Sequence, residues 1–206
     1  MASVLVGLFR SLSWSDFRVR QAKPPRPGQS AAAANTGYRY SEGGVSISGS
    51  GSQFQLADNI TVTASFDPGA SYVLSWVFDR PQQFQDDMLN HEQGHYNINA
   101  LVCRDYFTDL MLAKGQTFAT AKEGLDAVKQ LRKDSVAKIG IVQSLYDSEV
   151  HPEQDSGLSH GPIQQNWDGY LQTSFTQFRA TGTTTPDGNH HRVRLIDVLN
   201  FNGKRV

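Results

Sequence analysis

Two stretches of the chain repeat apolar residues at helical spacing. In the first, Phe84, Met88, His91, His95, Ile98 and Val102 recur at intervals of four and three, the period of a stripe turned toward a core. Pro81 and the acidic pair Asp86 and Asp87 suit a helix start, and Lys114-Gly115 suits an end, so the pattern predicts a helix over about 83 to 113. In the second, Leu125, Val128, Leu131, Ile139, Val142 and Tyr146 keep the period with lysines and aspartates opposite them, which predicts a helix over about 117 to 147. A connection of a few residues makes the two helices antiparallel. At about 1.5 Å per residue, the second helix returns to the level of His91 after about 22 residues, so the chain near and beyond Gly140 arrives beside it.

Before these helices the pattern alternates. Ile60, Val62, Ala64 and Phe66 face one way and threonines and a serine the other, as in a half-buried strand. Asp67-Pro68-Gly69 is a strong turn, so Tyr72 to Phe78 is expected to return as the second arm of an antiparallel hairpin. Tyr38 and Tyr40, and Val45 and Ile47, alternate in the same way between glycine clusters, and Ala31 to Ala34 reads as a strand edge or loop. Pro24, Pro25 and Pro27 mark an extended passage. Near the end, Thr181 to Gly188 reads as a flexible connection, followed by a short strand at Val193, Leu195 and Ile196. The expected class is α+β: a small antiparallel sheet followed by two long antiparallel helices.

A chain of 206 residues, 38% hydrophobic and 19% charged, is sized for one core. A net charge of −1 leaves no electrostatic footprint for nucleic acid. No apolar stretch is long enough to span a bilayer. Val4 to Phe9 is too short, and lacks the flanks, for a signal peptide. A soluble protein is expected, and a trimmed export signal would leave the same sequence, so periplasmic, secreted and cytoplasmic settings stay open, as does the oligomeric state. The single cysteine, Cys103, excludes an intrachain disulfide and a cysteine-based zinc knuckle. Within a helix it reads as a small buried residue.

The chemistry lies in the first helix, in His91-Glu92-Gln93-Gly94-His95. Six histidines and five glutamates in 206 residues give about 0.004 chance matches to H-E-x-x-H, so composition does not explain it. Residues four apart lie one above the other on a helix, so both imidazoles can converge on one cation while Glu92 reaches a water beside it. Zn2+ suits such ligands, and it lowers the pKa of its water from near 16 to roughly 7. Glu92 is then the expected general base for hydrolysis of a peptide bond in a peptide or protein substrate. A catalytic site needs a third ligand. Ile98 and Leu101 stand where a continued motif would place glycine and histidine, so that ligand comes from the end of the second helix or the loop after it, where Asp147, Glu149, His151 and His160 cluster. Tyr146 is a candidate donor to the oxyanion, against the alternative of core packing. Gly94 implies either tight helix packing or a close approach of substrate. His190 and His191, adjacent on a strand, would point to opposite faces and read as surface residues. Trp14 and Trp167 read as core or wall residues.

The order of these features resembles a known family. Leu12-Ser13-Trp14-Ser15-Asp16-Phe17, Ser75-Trp76-Val77, Leu89 to His95, Tyr146-Asp147, His160-Gly161 and Gln165-x-Trp167 together are similar to the bacterial domain of unknown function 922, regarded as predicted secreted zinc-dependent proteases. The similarity covers about residues 11 to 178. It implies a zincin-like metalloprotease domain over 11–180 with a C-terminal extension over 181–206, and zinc held by His91, His95 and His160. In the family, Tyr-Asp stands a few residues before His-Gly. Here His151 to Leu158 intervene, and Gly161 selects His160 over His151. Asp147 is the alternative third ligand, since carboxylate serves zinc as well as imidazole does. If not a ligand, it is a candidate to accept the second ring N–H of a bound histidine. Three functional classes follow: a zinc endopeptidase, a metal-dependent amidase acting on cell-wall or other non-protein amides, and a non-catalytic zinc-containing binding module.

Overall fold

The computed structural model of the chain describes residues 3–24, 32–150, 161–177, 193–204 and 206. In chain order these form β1 (Val4–Val6), a 3-10 turn (Trp14–Asp16), β2 (Arg18–Arg20), β3 (Ala34–Asn35), β4 (Tyr38–Gly43), β5 (Ile47–Ser50), β6 (Gln53–Leu56), β7 (Thr61–Phe66) and β8 (Tyr72–Leu74). A second 3-10 segment (Ser75–Asp79) leads into α1 (Gln82–Ala113), α2 (Ala121–Glu149), α3 (Pro162–Thr176) and α4 (Leu195–Phe201). The class is α+β, with small sheets and, among the described residues, four helices.

β7 keeps the expected alternation, with Val62, Ala64 and Phe66 buried and their neighbours half-buried. It is the middle strand of its sheet, parallel to β1 and antiparallel to β4, with Tyr38 opposite Phe66. Both edges of β7 are therefore taken, and the expected hairpin with the segment after Asp67-Pro68-Gly69 does not form. Ser71 Oγ donates to the Asp67 carbonyl at 2.7 Å and accepts from the Gly37 N–H at 2.9 Å, which sends the chain sideways. β8 pairs instead with β2 in parallel and β3 antiparallel, and residues 75–79 coil as a 3-10 helix. The two three-stranded sheets are thus mixed, where an antiparallel one was expected. β5 and β6 form a separate two-stranded hairpin.

Both long helices appear close to the expected limits. α2 starts at Ala121, later than 117, because the Thr120 hydroxyl accepts from the Glu123 N–H at 3.1 Å and the Glu123 carboxylate accepts from the Ala119 N–H at 3.1 Å. Contacts of His95 with Gln143 and of His91 with Tyr146 run in opposite chain directions, so α1 and α2 are antiparallel.

α1 is more than an amphipathic helix. Every residue from Ile98 to Tyr106 is buried, as expected of a helix surrounded on all sides. One face packs Met88, Tyr96, Ala100, Cys103, Tyr106 and Leu110 against the β7 side chains. The other packs Ile98, Leu101 and Val102 against Val142 and Tyr146 of α2, Trp167 and Leu171 of α3, and Leu195 and Leu199 of α4. α4 replaces the strand expected at 195–196, because Leu195 and Leu199, four apart, share the face that fills this second core. The polar residues of the buried stretch are paired, as burial requires. Arg104 bonds Asp105, the Ser174 carbonyl and hydroxyl, and the Val193 carbonyl, while Asp105 accepts from the Leu195 N–H at 3.1 Å. Among the described residues no helix is long and apolar enough to cross a membrane.

Candidate metal centre

The five residues of the motif lie in α1, and each has a distinct environment. His91 and His95 project toward α2 with their Nε2 atoms 3.1 Å apart. Asp147, near the end of α2, places Oδ1 3.0 Å from His95 Nε2 and 3.7 Å from His91 Nε2. Two donors bound to one tetrahedral zinc at about 2.0–2.1 Å stand about 3.3 Å apart. The three separations bracket that edge length. Among the described residues these three form the one group that could hold a metal ion.

Around them is a cavity of about 430 Å³, lined by Ala32 to Thr36, Tyr38, Met88, His91, Glu92, His95, Gln143, Asp147 and Val150. Glu92 is 2% exposed, and its Oε2 has no hydrogen-bond partner. An orphaned carboxylate oxygen in a cavity is what an incoming water or substrate N–H would satisfy. Burial raises the Glu92 pKa, against the opposing pull of His95 and of Thr36, whose hydroxyl also donates to the Glu92 backbone carbonyl at 3.1 Å. His95 is pushed down by burial but raised overall by Asp147, Glu92 and Gln143. Partial burial pushes Asp147 up, and the two histidines outweigh this and hold it well below the usual carboxylate range. The surroundings favour positive charge between the imidazoles, which fits a cation bound there.

The remaining motif positions are structural. Gln93 Oε1 accepts from the Leu12 N–H at 2.7 Å, and its Nε2 donates to the Arg10 carbonyl at 2.9 Å, tying the N-terminal segment to α1. At Gly94 a Cβ would lie 2.2 Å from the Tyr146 hydroxyl oxygen, so of the two explanations for this glycine, tight helix packing holds.

Tyr146 is wholly buried and does not line the cavity. Its ring stacks on His91 at 4.8 Å and meets His95 edge-on at 5.0 Å. Its hydroxyl lies 3.0 Å from Gln164 Oε1 and 3.2 Å from the His91 carbonyl oxygen. Tyr146 was expected as a donor to the oxyanion; the structure places its ring as a wall against both imidazoles and its hydroxyl on Gln164 and the His91 carbonyl. The phenol that does line the cavity is Tyr38, at the start of β4.

Of the other expected ligands, Glu149 lies away from the site, accepting from Trp167 Nε1 at 2.8 Å and from Lys204 Nζ. His151, His160, His190, His191 and the connection expected at 181–188 lie outside the described residues. Asp147 faces the Nε2 side of both rings. The second ring nitrogen of His95 faces Gln143 instead, whose Oε1 is 2.5 Å from Nδ1 and whose Nε2 donates to the His95 carbonyl at 2.8 Å. Gln143, Thr36 and Tyr38 carry no signal in the sequence as site residues; only the helical return past Gly140 pointed at the first. No family model, curated protein or solved structure matches the chain.

Proposed function

We propose that this protein is a zinc-dependent hydrolase of peptide bonds, a metallopeptidase of the kind its motif order resembles. The observation that carries the reading is the meeting of His91 Nε2, His95 Nε2 and Asp147 Oδ1 beside the unpartnered Oε2 of Glu92, in one cavity. Two imidazoles and a carboxylate are a ligand set of catalytic zinc sites, which leave a position for water. When bound there, zinc supplies acidification of a water and polarisation of the scissile carbonyl. Glu92 takes a proton at Oε2 and returns it to the departing amine. Its burial makes it a stronger base than an exposed carboxylate. Thr36 holds the backbone behind it. Tyr38 offers a phenol to the cavity, suited to donate toward negative charge growing on the carbonyl oxygen.

The test pairs metal content with activity. Protein loaded with zinc is expected to bind one ion and cleave an unfolded casein-type substrate. Glu92→Gln should keep the zinc and lose cleavage by at least about 100-fold, the lower bound for removing a general base. Zinc-loaded wild-type protein that cleaves nothing, or a Glu92→Gln variant that cleaves as wild type does, refutes the proposal.

A further inference from the structure

We infer that Gln143 is a positioning residue that decides which nitrogen of His95 faces the metal, an inference that rests on the zinc reading above. The amide of Gln143 touches His95 twice. One end lies 2.8 Å from the His95 backbone carbonyl oxygen, which only accepts, so that end is the NH2 group. The end 2.5 Å from His95 Nδ1 is therefore the amide oxygen, which also only accepts. Nδ1 must then carry the ring proton. In the neutral ring Nε2 then keeps its lone pair for an ion on the side where His91 Nε2 and Asp147 Oδ1 stand. Gln143 is 6% exposed, and it lies one turn before Asp147 on α2, so one helix supplies both the clamp on the second ligand and the third ligand. Because the amide is neutral, it sets the tautomer without placing a third negative charge beside Glu92 and Asp147.

Two substitutions separate this role from packing. Gln143→Met fills the space and accepts no hydrogen bond of comparable strength. Gln143→Glu still accepts from Nδ1 but no longer donates to the His95 carbonyl. Zinc affinity, measured by competition with a chromophoric chelator, should fall about 10- to 100-fold in Gln143→Met, the usual effect of losing such a partner, and stay within a few-fold of wild type in Gln143→Glu. The visible spectrum of the cobalt-substituted protein should change in the first variant and persist in the second. Unchanged affinity in Gln143→Met overturns the inference, as does a Gln143→Glu variant as weak as Gln143→Met, which would reduce Gln143 to packing. Wild-type protein that binds no zinc refutes the metal reading instead. Nitrogen NMR of the neutral His95 ring in metal-free protein then decides the tautomer on its own: a proton on Nδ1 supports the clamp, and a bare Nδ1 overturns it.

Discussion

Replacing Gly94 by alanine should destabilise the protein, although alanine is the better helix former. The substitution gains about 1 kcal/mol of intrinsic helix propensity. Against this, the new Cβ would sit 2.2 Å from the Tyr146 hydroxyl oxygen, 2.6 Å from Cζ and 3.0 Å from Cε1. The ring cannot swing aside, because it is wholly buried, stacked on His91 and packed edge-on against Trp167 at 5.1 Å. Overpacking of this kind costs about 1–3 kcal/mol. Displacing the hydroxyl from Gln164 and the His91 carbonyl adds about 1–3 kcal/mol for a buried polar group left unpaired. The net loss is about 3 kcal/mol, which for a chain of this size lowers Tm by about 6–12 °C. Gly140 on α2 is the control, since a Cβ there meets nothing within 4 Å. Gly140→Ala should raise Tm by about 2–4 °C, the reverse sign for the same chemical change. Thermal unfolding of metal-free wild type and both variants, followed by circular dichroism, measures this. A Gly94→Ala protein as stable as wild type would refute the account of α1–α2 contact, and with it the placement of Asp147 beside the histidines.

Two further outcomes test the two cores. Burial, aided by the charge of Asp105, pushes the Cys103 thiol up to about 12, so native protein should resist iodoacetamide at pH 8 and label only in denaturant. From about pH 9, the ordinary value, up to about pH 12, the unfolded chain ionises this thiol and the native one does not. Stability should therefore fall by one proton's worth per pH unit across that window, and Cys103→Ala should remove that component of a urea titration series. Arg104→Met leaves Asp105 buried without its guanidinium and frees the Ser174 and Val193 carbonyls, so a loss of about 3–5 kcal/mol is expected in urea unfolding. A loss under about 1 kcal/mol would mean that the buried pair does not hold α4 to α1.

The sequence by itself determined the local events. The period of Phe84 to Val102 and of Leu125 to Tyr146 placed both long helices, and the alternation of Ile60 to Phe66 placed the central strand. These depend on spacing within one element, which the chain carries directly. The convergence of His91 and His95 is likewise a matter of helical pitch. Pairing across elements was decided by tertiary structure alone. β8 was expected beside β7, yet both edges of β7 are occupied by β1 and β4, which come from earlier in the chain. Leu195 and Leu199 form a helix because a pocket between α1 and α3 needs two side chains one turn apart. The site divides in the same way. His91, Glu92 and His95 were legible by residue type, and Asp147 by the length of α2, though only as the alternative to His160. Gln143 and Tyr38 were not, since a neutral amide and a phenol gain meaning only from what they face. Tyr146 was read for its hydroxyl, which packing beside Gly94 aims at Gln164 and the His91 carbonyl while the ring stacks on the His91 imidazole. Periodicity encodes which face of an element is buried; only the assembled chain specifies which atoms of another element meet it there.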